Sequence, residues 1–135
     1  MYKKRALVKM LFSSLAISLA SIAFCFGGEV IELNKKVDFD ALKSEKKFVV
    51  VDFFTDGCFP CKKLAPVFKE IAKEFSQITF VKVNAGKEND ISGDFDIRSV
   101  PTLIFFRDGE EVKPRVLGYK SKGPLVDIIK KKFNL

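Results

Sequence analysis

Phe48-Val49-Val50-Val51-Asp52-Phe53-Phe54-Thr55-Asp56-Gly57-Cys58-Phe59-Pro60-Cys61 begins as a strand and ends as the opening of a helix. Its first half is a continuous β-branched and aromatic run, the pattern of a central strand covered on both faces rather than one with a wet side. Thr55-Asp56-Gly57 is a turn. From position 58 to 75 the apolar residues Leu64, Val67, Phe68, Ile71 and Phe75 recur at spacings of three and four, which predicts an amphipathic helix. A buried strand therefore hands over to a helix at a pair of cysteines.

That placement gives the pair its chemistry. Cysteines three residues apart in the first helical turn are close enough to close a small disulfide ring. The unpaired N–H groups and the positive dipole end of the helix favour a thiolate on the leading sulfur. Cys58 is therefore expected to be the nucleophile. Cys61, one turn further in, is expected to be the resolving thiol that attacks the mixed disulfide. A purely structural bridge is a poor alternative, because so short a loop constrains the unfolded chain little. Zinc is poorer still. It wants four ligands, the chain has no His, and its only other cysteine is Cys25.

Outward from this stretch, Val30 to Leu33 reads as a strand and Asp38 to Ser44 as a short helix, with Asp38 its N-cap and Phe39 and Leu42 facing inward. Ile78 to Asn84 is a strand and Asp90 to Phe95 a short helix. Thr102 to Phe106 is a strand, Asp108-Gly109 a hairpin turn, and Val112 to Leu117 the antiparallel partner. The last helix opens at Ser121 to Gly123. It carries Leu125, Val126, Ile128, Ile129 and Phe133 on one stripe, with Lys130, Lys131 and Lys132 near its C-terminal end. The order βαβαβαββα predicts an α/β fold with one mixed sheet and helices on both faces. No internal repeat is present.

The 135 residues, 47% of them apolar, suit one globular domain plus a short extra segment. A net charge of +7 suggests nucleic acid or an anionic membrane, but Lys3, Lys4, Arg5 and Lys9 all precede the apolar run Leu11 to Phe26. Without them 20 basic and 17 acidic residues remain, interspersed as on a solvated surface, which argues against nucleic acid. A basic stretch, an apolar run and small residues near its end form the pattern of an export signal. Residues 1–28 are expected to be that signal or a membrane anchor, and residues 29–135 the folded domain, placing the protein in the periplasm or another extracytoplasmic space. Ser21-Ile22-Ala23 offers a cleavage site. The alternatives are an uncleaved tether, since the apolar run continues to Phe26, and lipid attachment at Cys25, where Phe24 occupies the position such signals give to a small residue.

From about residue 37 to the end the chain resembles the thioredoxin family. The resemblance is carried by Val51 to Lys62 with its proline between the cysteines, by Pro66 in the long helix, by Ser99-Val100-Pro101-Thr102, by Arg107-Asp108-Gly109-Glu110 and by Gly118. It implies the thioredoxin fold and thiol-disulfide exchange without a cofactor, in a monomer. It also implies further roles. Asp52, mid-strand in an apolar run, would have its pKa raised by desolvation and accept a proton from Cys61; the alternative is a carboxylate that reaches solvent past the strand end. Lys82 would tune Asp52, or be a plain surface lysine on an edge. Pro101 would be cis, leaving the Val100 backbone free to pair with an extended substrate segment; the alternative is an ordinary turn proline.

The chain departs from the family in lacking any Trp, with Gly57 before the first cysteine and Phe59-Pro60 between the two. Phe59 places a ring beside the reactive sulfur, as a docking contact or a partly exposed filler. The motif has no His to stabilise a thiolate, which favours a reductase or electron relay over a disulfide-forming oxidase. The expected partners are proteins with disulfides or thiols and a membrane electron-donor thiol protein. A redox-silent peptide-binding or chaperone module is the alternative from another class, against which the intact cysteine pair argues.

Overall fold

Seven residues from Phe48 to Phe54 form β2, buried on both faces except at its two ends, and the rest of the fold is arranged about it. The computed structural model describes residues 28–135. The expected export signal, tether and lipid site at Cys25 lie outside the described residues.

Around β2 the chain runs β1 (Val30–Leu33), α1 (Lys36–Glu45), β2, α2 (Phe59–Glu74), β3 (Thr79–Asn84), α3 (Asn89–Asp94), β4 (Thr102–Arg107), β5 (Glu110–Glu111), β6 (Val116–Leu117) and α4 (Lys122–Phe133). The sheet order is β1-β3-β2-β4-β5, with β6 also on β4. β1, β3 and β2 run parallel, and β4 is antiparallel to β2, β5 and β6. The sheet is mixed and has helices on both faces. Because side chains alternate across a strand, Val50 joins α2 and α4 in one core with Leu64, Phe68, Leu125 and Ile129. Val49, Val51 and Phe53 join α1 and α3 in the other, with Phe39 and Ile91.

Two local expectations are corrected. Asp38 does not cap α1: the helix begins at Lys36 after Lys35, and Asp38 lies in its first turn, where a carboxylate still suits the dipole. The expected strand Val112 to Leu117 is a strand only at Val116–Leu117, as β6; the hairpin partner nearest the turn is the separate β5, Glu110–Glu111, before the expected start. Pro114 has no N–H to offer the ladder, so pairing with β4 lapses around it and resumes at Val116. Arg115 bridges the gap, donating to both oxygens of Glu111 at 2.7 and 3.1 Å and to the Phe95 carbonyl. The turn before it is Asp108-Gly109, both with positive φ (50° and 82°), the conformation whose twist matches a two-residue hairpin.

Candidate active site

Cys58 is the N-cap of α2, and its Sγ accepts a hydrogen bond from the Cys61 backbone N–H at 3.2 Å. The loop into it is tightened by Cys58 N–H donating to the Thr55 carbonyl at 3.3 Å. Cys58 and Cys61 are joined by a disulfide with Cα atoms 5.2 Å apart. Cys58 is partly exposed, whereas Cys61 is 4% exposed. Pro60, at the second helical position, lacks an N–H that would have no partner inside the helix anyway. No acidic residue sits in the first turn, so a thiolate there meets the positive helix end without a competing carboxylate.

Asp52 lies beneath the pair. Its side chain is fully buried and neither carboxylate oxygen has a hydrogen-bond partner. Two residues from Val50 on the same strand, it shares the sheet face that α2 covers. Desolvation pushes its pKa up to about 7, and the positive charge of Lys82 pulls against that rise. Lys82 is Asp52's register partner on β3, which lies between β1 and β2 and is not an edge strand. Its ammonium sits 3.9 Å from the centroid of the Phe54 ring, a cation–π contact. A crevice of about 210 Å³ lined by Phe54, Thr55, Cys61, Ala65 and Lys82, among others, opens between α2 and the sheet.

The loop before β4 closes the other side. Cys58 Sγ is 3.7 Å from the Val100 carbonyl. The Val100–Pro101 peptide bond is cis, Pro101 is buried, and the loop is held by Thr102 Oγ1 donating to the Ser99 carbonyl at 2.7 Å and by Gly118 N–H donating to the Pro101 carbonyl at 2.9 Å. Phe59 is 71% exposed, so its ring faces solvent rather than filling a gap. The fold thus brings Cys58 and Val100 together at the surface with Cys61 buried just behind them, puts Asp52 and Lys82 on the sheet face below, and leaves Phe59 and Pro60 on the rim.

Sequence reading missed the anchor of the turn before Cys58. Asn84, 4% exposed at the end of β3, donates through Nδ2 to Asp56 Oδ1 at 2.9 Å and accepts from the Gly86 N–H at 3.0 Å. Lys87 pairs with the other Asp56 oxygen at 3.1 Å. An asparagine ending an apolar strand was the available signal, but its partner is 28 residues away.

A family model described as Thioredoxin matches residues 29–131. Among curated proteins the chain is 43% identical over 98 residues to the thioredoxin of Mycoplasmoides gallisepticum, covering 73% of this chain and 97% of that one. It is 40% identical over 90 residues to thioredoxin-2 of Saccharomyces cerevisiae, covering 66% and 86%. Among solved structures, Plasmodium falciparum thioredoxin superposes with a TM-score of 0.70 at 30% identity, covering 75% of this chain and 97% of that one.

Proposed function

The chain belongs to the thioredoxin family and is a thiol-disulfide oxidoreductase of that type, and on this premise we propose that it works outside the cytoplasm as a protein-disulfide reductase or electron relay. In the reduced state the Cys58 thiolate attacks one sulfur of a substrate disulfide. A bond forms from Cys58 to that sulfur, and the other substrate sulfur leaves as a thiolate and takes up a proton. Cys61 then gives its proton to Asp52 and attacks Cys58 Sγ, expelling the second substrate thiolate. The substrate gains two electrons and two protons, and the protein is left with the Cys58–Cys61 disulfide.

The observation that carries this reading is a fully buried carboxylate with no hydrogen-bond partner, on the face that α2 covers, below a cysteine pair whose leading sulfur caps that helix. A pKa of about 7 suits a group that must take and return a proton near neutrality. Lys82 tunes that value by its charge, and the crevice beside Cys61 gives the proton a path to solvent. The Val100 backbone and the Phe59 ring flank Cys58, where an extended substrate segment pairs and rests. The reductase direction is supported by the absence of His from the chain. Export is supported by the basic and apolar pattern of residues 3–26, which would tether or release a monomer outside the membrane. A dithiol protein of the membrane then serves as electron donor.

Equilibration of the full-length chain in glutathione or dithiothreitol buffers, read by alkylation and mass, tests the direction. A reduction potential near roughly −270 mV is expected, and one near about −120 mV would make the protein a disulfide donor instead. Cell fractionation tests the location: recovery wholly in the cytoplasmic fraction refutes export.

A further inference from the structure

Lys63 stands two residues past Cys61, exposed, and its ammonium lies between two aromatic rings: 5.9 Å from the centroid of Phe59 and 5.0 Å from that of Tyr119. The two rings come from different parts of the chain, Phe59 from the first turn of α2 and Tyr119 from the segment after β6. That segment is pinned to the active-site loop by the Gly118 N–H to Pro101 carbonyl bond, and the Val100 carbonyl of the loop is the one 3.7 Å from Cys58 Sγ. Phe59, Lys63 and Tyr119 therefore form a rim on one side of the reactive sulfur, and the 60% exposed Leu117 extends it two residues along the chain from Tyr119. Gly118, with φ +75° and open space where a Cβ would stand, keeps the rim low between Leu117 and Tyr119.

The charge on this rim is one-sided. Among the described residues, the carboxylates on the framing elements are taken: Asp56 by Lys87, Asp96 by Arg98, and Glu70 and Glu74 by Lys122. Lys62, Lys63 and Lys120 have no carboxylate within 4 Å among the same residues. Lys62 and Lys63 also sit near the positive end of α2, where the dipole disfavours cations. Two rings restrain the Lys63 side chain, so less side-chain freedom is lost when an anion docks on it. A cation held between apolar ring faces beside a nucleophilic sulfur fits a partner that presents a negative charge next to its disulfide.

Resting on the reductase reading above, we propose that Phe59, Lys63 and Tyr119 form a recognition rim that selects disulfide substrates bearing an aspartate or glutamate beside the attacked cysteine. The carboxylate docks on Lys63 while neighbouring apolar groups of the substrate rest on Phe59 and Leu117. Because the contact is at the rim, it acts on the encounter and is screened by salt.

The test uses the pre-reduced full-length chain and two synthetic peptides, each closed by one disulfide and identical except for Glu or Lys next to one cysteine. The readout is the ratio of their reduction rates in the same protein, in which differences in thiol reactivity or active fraction cancel. In the wild type the Glu peptide is expected to react roughly 5-fold faster at about 20 mM salt, the ratio falling toward 1 at about 500 mM. Lys63→Glu is expected to bring the low-salt ratio below 1, and Lys63→Met to leave it between the two. Equal rates for both peptides in the wild type at low salt, or a ratio unmoved by Lys63→Glu, overturn the proposal. Bis(2-hydroxyethyl) disulfide, which is neutral, separates the two readings: its reduction alongside equal peptide rates refutes the rim alone, whereas failure to reduce any of the three refutes the reductase reading and the rim with it.

Discussion

Asp52 and Lys82 face each other in register across β2 and β3, yet the ammonium lies on the Phe54 ring and forms no ion pair with the carboxylate within 4 Å. The carboxylate is therefore buried next to a positive charge but without a hydrogen bond. Desolvation outweighs attraction, and the net result is a proton affinity close to neutrality.

Such a group makes stability depend on pH in a definite direction. The folded protein holds the Asp52 proton more tightly than the unfolded chain does, so its cost is absent below about pH 4 and accumulates as pH rises to about 7. Asp52→Asn in the disulfide form is expected to be more stable than wild type at pH 8 by about 2–4 kcal/mol, the gap shrinking steadily toward pH 4. Denaturant midpoints across that range check it, and a gap that does not vary with pH contradicts it.

The roles of the two cysteines separate by trapping. Cys61→Ser is expected to accumulate a mixed disulfide between Cys58 and a substrate, and Cys58→Ser to form none, because Cys61 is buried and away from incoming sulfur. Asp52→Asn should slow release of the mixed disulfide about 10-fold or more at pH 7. Quenching with acid and measuring intact mass at timed intervals reads all three variants.

Lys82→Met removes the charge that draws the Asp52 pKa downward. The Asp52 pKa should rise further above 7, and the pH profile of the resolving step should move to higher pH with it. Infrared titration of the buried carboxyl band follows the group directly; an unmoved band would mean that Lys82 acts only through packing on Phe54.

Asn84→Ala withdraws the donor to Asp56 and the acceptor for the Gly86 N–H. A loss of about 1–3 kcal/mol in stability is expected, since buried partners are left unpaired. Amide exchange at Gly86 should quicken along with it, which distinguishes a loosened turn from a general loss of core packing.

Much of this site lies within one stretch of chain. The apolar run 48–54, the turn at Asp56-Gly57 and the helical spacing after Cys58 each follow from neighbours a few residues apart, because strand and helix periods are local properties of the backbone. From them the sequence by itself determined the central strand, the long helix and a cysteine pair at their junction. The tertiary structure alone decided that β3 is interior and sets Lys82 opposite Asp52, that Asn84 reaches Asp56, that Pro114 separates β5 from β6 around an Arg115–Glu111 pair, and that Tyr119 comes up beside Lys63. Each of these joins elements through sheet order, register or the course of a loop. Those follow from how whole faces bury one another, which the spacing of residues along any one segment does not encode.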